Sequence, residues 1–242
     1  MTDSNKDIVY GINPAFETVL SGRRTVYRAV LSKSAATNPR LKKLEKLCTE
    51  RNLKVEWLEK GRLIDISGSR ENQGVVIETA PYPYADLGEI LEAPGKLLLI
   101  DNIEDPQNVG AVLRSAQVLG FNDILLPDRG VPGIYPSVVK ASAGATEHLR
   151  IVRQMNAVKY MQEVVAETGC MTVALDAKGE RTLSDCAMML KEPFMLTIGG
   201  EDKGVHQYIL NNADITAYIP QKGSVPSLNA STAAAIAMYA LS

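Results

Sequence analysis

Three stretches of the chain combine residue types and spacings that can do chemistry. The first is Asp101-Asn102-Ile103-Glu104-Asp105-Pro106-Gln107-Asn108-Val109-Gly110, followed by Arg114. Arg114 sits among Val112, Leu113 and Ala116, so its guanidinium must find an anion, a helix end or a site. A phosphate or a carboxylate suits that planar fork. Asn108 is placed to cap the helix that carries Arg114, a structural role as well supported as a catalytic one. The second stretch, Ile198-Gly199-Gly200-Glu201-Asp202-Lys203-Gly204, sets a carboxylate just after glycines that let backbone approach a ligand closely. It is neither a P-loop nor a Gly-x-Gly-x-x-Gly turn. The third, Ile219-Pro220-Gln221-Lys222-Gly223-Ser224-Val225-Pro226-Ser227-Leu228-Asn229-Ala230-Ser231, leads into a small-residue helix over 232–241. Ser231 is the expected N-cap, and Ala233-Ala234-Ala235 permits close approach of another segment or subunit.

Other chemistries are excluded by what the chain lacks. Cys48, Cys170 and Cys186 are far apart and odd in number, so they build neither a disulfide framework nor a Cys-x-x-Cys metal site. His148 and His206 are not at metal-ligand spacing, which removes His-based zinc chemistry and most triad catalysis. The polar start and the absence of a long apolar run lead to the expectation of a soluble, cytoplasmic chain with neither membrane span nor secretory signal.

With 242 residues, 45% of them hydrophobic, the chain can bury a core as one large domain or two small ones. Its net charge of −2 hides an asymmetry. Residues 1–80 carry 14 Lys+Arg against 10 Asp+Glu, whereas residues 81–242 carry 12 against 18. Within 21–46, Arg23, Arg24, Arg28, Lys33, Arg40, Lys42, Lys43 and Lys46 face only Glu45. Lys42, Lys43 and Lys46 read as the solvated face of a helix. Arg23, Arg24 and Arg28 are the candidates for binding a polyanion.

The elements that must position the three stretches follow from periodicity. Residues 1–80 read as a small α/β domain with helices over 13–21 and 40–51, the latter with Leu41, Leu44 and Leu47 on one face, and strands over 26–31, 54–57 and 74–77. Pro81, Pro83 and Pro94-Gly95 mark 81–95 as a linker. Residues 96–242 then alternate apolar strands (97–100, 124–126, 149–152, 171–175, 194–198, 215–219) with helices. That pattern predicts a mostly parallel sheet covered on both faces, with ligands at the loops leaving the strands' carboxyl ends.

Taken together, the three stretches resemble in order and spacing the signature motifs of the SpoU/TrmH (SPOUT) family of RNA ribose 2′-O-methyltransferases. Asp105-Pro106-Gln107-Asn108-Val109-Gly110 with Arg114 matches the first motif, Gly199 to Gly204 the second, and Ile219-Pro220 with Ser227-Leu228-Asn229-Ala230-Ser231 the third. Lys140 to His148 resembles the family's intervening stretch. Tyr10-Gly11, Asn13-Pro14 and Gln73-Gly74 resemble its ribosomal-protein-like substrate-binding domain. Asp202, Gln221 and Asn72 depart from the usual glycine, methionine and histidine.

The resemblance implies a carboxyl-terminal catalytic domain with a deep trefoil knot, an exception to unthreaded chains. It also implies a homodimer through that domain and S-adenosylmethionine held by Gly199, Gly200, Ile219, Gln221 and Leu228. The implied reaction is attack of an RNA ribose 2′-hydroxyl on the cofactor's methyl, with no metal. Arg114, Asn108, Glu201, Ser227 and Asn229 are the implied catalytic set, with either Arg114 or Glu201 taking the hydroxyl proton. The target expected from the front domain is a guanosine of large-subunit rRNA. A tRNA target and a non-catalytic ribosome-assembly factor are the alternatives.

Overall fold

The computed structural model describes residues 6–224 and 227–242. The opening residues 1–5, and Val225-Pro226 of the third stretch, lie outside the described residues. In chain order the elements are β1 (Asp7–Tyr10), α1 (Ile12–Ser21), β2 (Val26–Ser32), α2 (Pro39–Glu50), β3 (Val55–Leu58), α3 (Lys60–Ser67) and β4 (Val75–Thr79). Then follow α4 (Leu87–Leu91), β5 (Lys96–Asp101), α5 (Pro106–Val118), β6 (Asp123–Leu125), α6 (Pro136–Ala141), β7 (Arg150–Val152), α7 (Ala157–Thr168) and β8 (Met171–Leu175). The last are β9 (Arg181–Thr182), α8 (Leu183–Met189), β10 (Phe194–Gly199), α9 (Gln207–Asn212), β11 (Ile215–Tyr218) and α10 (Ala230–Ala240). Among the described residues no helix is long and apolar enough to cross a membrane.

The chain forms two compact units. The first comprises residues 1–83 together with 134–147, the second 84–133 together with 148–242. Residues 134–147, which the sequence reading keeps with the carboxyl-terminal domain, therefore take their contacts from the first unit.

In the first unit the sheet order is β1-β4-β2-β3, antiparallel except for the β2/β3 pair. Pro39 begins α2 because Asn38 accepts the Arg40 N–H at 2.9 Å and leaves the proline's missing donor harmless. Leu41, Leu44 and Cys48 form the buried face of α2, whereas Leu47 is only half-buried. Burial, with Glu45 nearby, pushes the Cys48 thiol up to about 11, as befits a packing residue. Asn72 is buried and closes a turn: Nδ2 donates to the Ser69 carbonyl at 2.8 Å and Oδ1 accepts the Gly74 N–H at 3.0 Å.

The arginines expected to capture RNA are spent inside this unit. Arg24 is buried, with Nε and Nη2 on the Glu147 carboxylate at 3.0 and 2.5 Å, Asp7 at 3.6 Å, and the Tyr82 ring 4.7 Å from its guanidinium carbon. It is therefore a structural residue rather than a surface one, because a buried guanidinium requires a matching carboxylate. Arg28 bridges Glu56 at 2.8 Å and Glu78 at 2.5 Å, and Arg23 donates to the Pro83 carbonyl at 3.2 Å. The basic excess of 21–46 is thus partly an internal neutralisation of glutamates. Arg24→Ala strands Glu147 in the interior, and the unfolding free energy is expected to drop by about 3–5 kcal/mol. Urea midpoints followed by circular dichroism measure this; a drop below about 1 kcal/mol would rank the pair with surface ion pairs.

The second unit is a seven-stranded parallel sheet in the order β7-β6-β5-β10-β8-β11-β9. The strands run as unbroken apolar segments, Leu97 to Ile100 and Phe194 to Ile198 being buried throughout, because helices cover both faces. β10 lies between β5 and β8, so the loops that follow β5, β8, β10 and β11 gather at one edge of the sheet. The expected linker is ordered structure: Asp86 caps α4 through the Gly88 N–H at 2.8 Å, and Leu87 and Ile90 enter the core beside Leu97, Leu99 and Tyr160.

Candidate active site

At the carboxyl ends of β8, β10 and β11 lies a cavity of about 210 Å³. Its walls include Gly199, Gly200, Ile219, Gln221 and Leu228, all five residues expected to hold the cofactor, together with Glu201 and Ser227 from the catalytic set. The glycines are required by close backbone approach, Gly199 to its own loop and Gly200 to the loop after β5. A Cβ at Gly199 would fall on the Gly204 carbonyl carbon and the Val205 nitrogen, and one at Gly200 on the Asn102 carbonyl oxygen. The loop after β10 is pressed against the loop after β5, an approach also fixed by the Gly200 N–H donating to the Asp101 carbonyl at 3.0 Å.

A second cavity, of about 350 Å³, shares Gly200, Glu201 and Ala230 with the first and adds Asn102, Glu104, Asp105, Asn108, Asp202 and Lys203. Between the two stands a hydrogen-bonded cluster from all three motifs. Glu201 Oε1 accepts from Asn229 Nδ2 at 2.6 Å, from the Ala230 N–H at 3.2 Å and, at 3.5 Å, from Asn108 Nδ2. Asn229 Nδ2 also reaches Asn108 Oδ1 at 3.0 Å. The carboxylate thereby sits at the amino end of α10, where unpaired N–H groups favour negative charge. Glu201 Oε2 makes no hydrogen bond among the described residues.

Both expected helix caps are shifted. Asp105, not Asn108, caps α5, its Oδ1 accepting the Gln107 N–H at 2.9 Å. Asn229, not Ser231, caps α10, its Oδ1 accepting the N–H groups of Ser231 and Thr232 at 3.0 and 3.3 Å. The shift frees Asn108 to cross to Glu201, and it makes Asn229 serve helix and site together.

Arg114 lies on α5, which packs against α10. It is exposed, lines neither cavity, and has no hydrogen bond or ion pair among the described residues. Across the second cavity Lys203 Nζ meets Glu104 Oε1 at 2.6 Å, and this pairing holds the Glu104 carboxyl below its ordinary value. Burial pushes the Asp101 carboxyl up, although its Oδ2 accepts the His206 N–H at 2.7 Å. Sequence reasoning missed Asp176 and Ala177 in the first cavity, although the end of an apolar parallel strand was a signal for them. It also missed Ala230 and Ala233, whose small side chains leave the space open. Among the described residues no group of three or more His, Cys, Asp or Glu could hold a metal ion.

The chemistry of the first cavity's lining suits S-adenosylmethionine. Ile198, Ile219 and Leu228 offer apolar surface for a flat base, the glycine backbone can come close, and Asp176 supplies an acceptor for hydroxyls.

Comparison with known proteins agrees. Residues 96–239 match the SpoU rRNA Methylase family, and residues 8–85 match the RNA 2′-O ribose methyltransferase substrate binding family. A putative TrmH family tRNA/rRNA methyltransferase, YacO of Bacillus subtilis, is 31% identical over 96% of this chain and 94% of its own length. The SpoU methyltransferase AviRb from Streptomyces viridochromogenes, solved in complex with the cofactor AdoMet, superposes with a TM-score of 0.80 at 23% identity over 99% of this chain and 90% of its own. A structure described by the 2-OH methylation of C/U34 on tRNA matches 62% of this chain and 95% of its own, at 27% identity and a TM-score of 0.54. An amino-terminal match to the substrate-binding family, a parallel sheet in the second unit, and three motifs meeting around one carboxylate are accounted for together: the chain belongs to the SpoU family of RNA methyltransferases.

Proposed function

We propose that this protein methylates a ribose 2′-hydroxyl of RNA from S-adenosylmethionine, with a guanosine of large-subunit rRNA as its target. The observation that carries this reading is the Glu201–Asn229–Asn108 cluster at the rim of the glycine-walled cavity. The cofactor, when bound, supplies a methyl carbon activated by a sulfonium. Gly199, Gly200, Ile219, Gln221 and Leu228 hold it. A hydroxyl needs alignment and a route for its proton. Asn108, Ser227 and Asn229 orient the ribose, and Glu201 Oε2 is the open acceptor for the proton. Arg114 offers donors only, so its part is to hold a phosphate or stabilise the developing alkoxide. The substrate is RNA because DNA lacks the attacking oxygen.

The front unit, which matches the RNA 2′-O ribose methyltransferase substrate binding family, is what favours the ribosomal target in this reading. The catalytic unit acts as a homodimer whose surface includes Val118 on α5 and Tyr239 on α10, 73% and 75% exposed. A trefoil knot is the arrangement in which the third motif meets the second, and the Asn229–Glu201 hydrogen bond between them supports it.

Labelled methyl from S-adenosylmethionine, offered with unmodified large-subunit rRNA and with bulk tRNA, tests the reading. Label in an alkali-resistant dinucleotide from rRNA is expected. Label confined to tRNA moves the target, and label removed by alkali rules out the ribose.

A further inference from the structure

The cavity that would admit the ribose is a poor place for a polyanion. Glu104, Asp105, Glu201 and Asp202 line it, against Lys203 alone, and Lys203 is already paired with Glu104. Arg23, Arg24 and Arg28 of the first unit are engaged with glutamates and a carbonyl. An RNA strand delivering a hydroxyl to Glu201 must therefore lay its phosphates on other cations.

One such surface adjoins the site. A cavity of about 520 Å³ in the second unit is lined by residues that include Asn102, Arg129, Asn156, Lys159 and His206. Asn102 lines this cavity and the acidic one, so the two are neighbours across a single residue. Arg129 and Lys159 are exposed and have no side-chain hydrogen bond or ion pair among the described residues. His206 Nδ1 accepts the Tyr208 N–H at 3.1 Å, which in the neutral ring leaves Nε2–H as the free donor. The one carboxylate in the lining, Asp101, is buried and accepts the His206 N–H. Sign of charge, donor chemistry and adjacency agree.

We infer that this cavity binds the backbone phosphate of a nucleotide flanking the methylated one, on Arg129 and Lys159 with His206 Nε2 as a further donor. The inference rests on the RNA-methylation reading above. It assigns the strand a path from the cationic cavity past Asn102 to Glu201, and it explains how an acidic unit accepts RNA. Contacts of this kind position the strand without reading its sequence.

The test is the double variant Arg129→Gln/Lys159→Gln, both at exposed positions, binding a labelled, unmodified large-subunit rRNA transcript across a salt series. Loss of the one phosphate contact on single-stranded RNA should reduce the log–log salt slope by about 0.7. The Kd and the KM for RNA should rise by about tenfold, the scale of charge-assisted hydrogen bonds. S-adenosylmethionine affinity should not move, and the exchange Arg129→Lys/Lys159→Arg should keep the slope. A double variant with wild-type Kd and slope overturns the inference. Wild-type protein that binds the transcript yet methylates no RNA sinks the parent reading instead, and the slope comparison still decides this one.

Discussion

Arg114→Ala is expected to lower methyl transfer by about 10²–10³-fold, the scale for losing one preorganised donor at a developing oxyanion. Cofactor affinity is expected to stay at the wild-type value. The split follows from position: the cavity proposed for the cofactor is lined without Arg114, whose guanidinium is exposed and has no partner among the described residues. A side chain that supports nothing in its own fold, on the helix that also carries Asn108, is available to a substrate. Single-turnover transfer to rRNA and equilibrium dialysis of S-adenosylmethionine measure the two quantities separately. Turnover near the wild-type rate removes Arg114 from the reaction. Glu201→Gln supplies the contrast, since it keeps an acceptor for Asn229 and loses the ability to take a proton.

Gly200→Ala is the second large effect. The added carbon would lie far inside van der Waals contact of the Asn102 carbonyl oxygen, which belongs to backbone and cannot swing aside. The loops after β5 and β10 must separate, at about 1–3 kcal/mol for overpacking. Because the same loops frame both cavities, S-adenosylmethionine affinity should fall by about fivefold to a hundredfold, one decade for each 1.4 kcal/mol transmitted to the site. Gly223→Ala is the control in the same group of motifs, for a Cβ there meets nothing within 4 Å. Titration calorimetry on both variants decides it; equal affinities would mean that the crossing is slack.

Much of the second unit was legible in the sequence. Its central strands are mainly apolar, a pattern that a sheet covered on both faces requires, and β5, β8 and β10 lie where the runs of Leu, Ile and Val put them. The three motifs were legible, and the five residues expected to hold the cofactor line one space. What failed was local capping and long-range charge. Asp105 and Asn108 are both good caps three residues apart, and propensity does not choose between them. Nor does composition reveal that Arg24 meets a carboxylate 123 positions away, because partner choice for a buried ion is decided by tertiary packing. The short elements α4 and β9 were missed for the same reason: five and two residues carry too little periodicity.

The Arg24–Glu147 pair has a consequence for synthesis. The first unit is closed by residues 134–147, so while the chain emerges from a ribosome its amino-terminal sheet can form early but is not complete until Glu147 has been made. Until then the guanidinium of Arg24 and the ring of Tyr82 wait without the segment that covers them, since the Tyr82 hydroxyl donates to the Thr146 carbonyl at 2.8 Å. Domains usually fold as units in order of synthesis. Here the earlier one stays open across more than half of the chain, and an amino-terminal fragment cut at residue 83 is an unfinished fold rather than a detachable RNA-binding module.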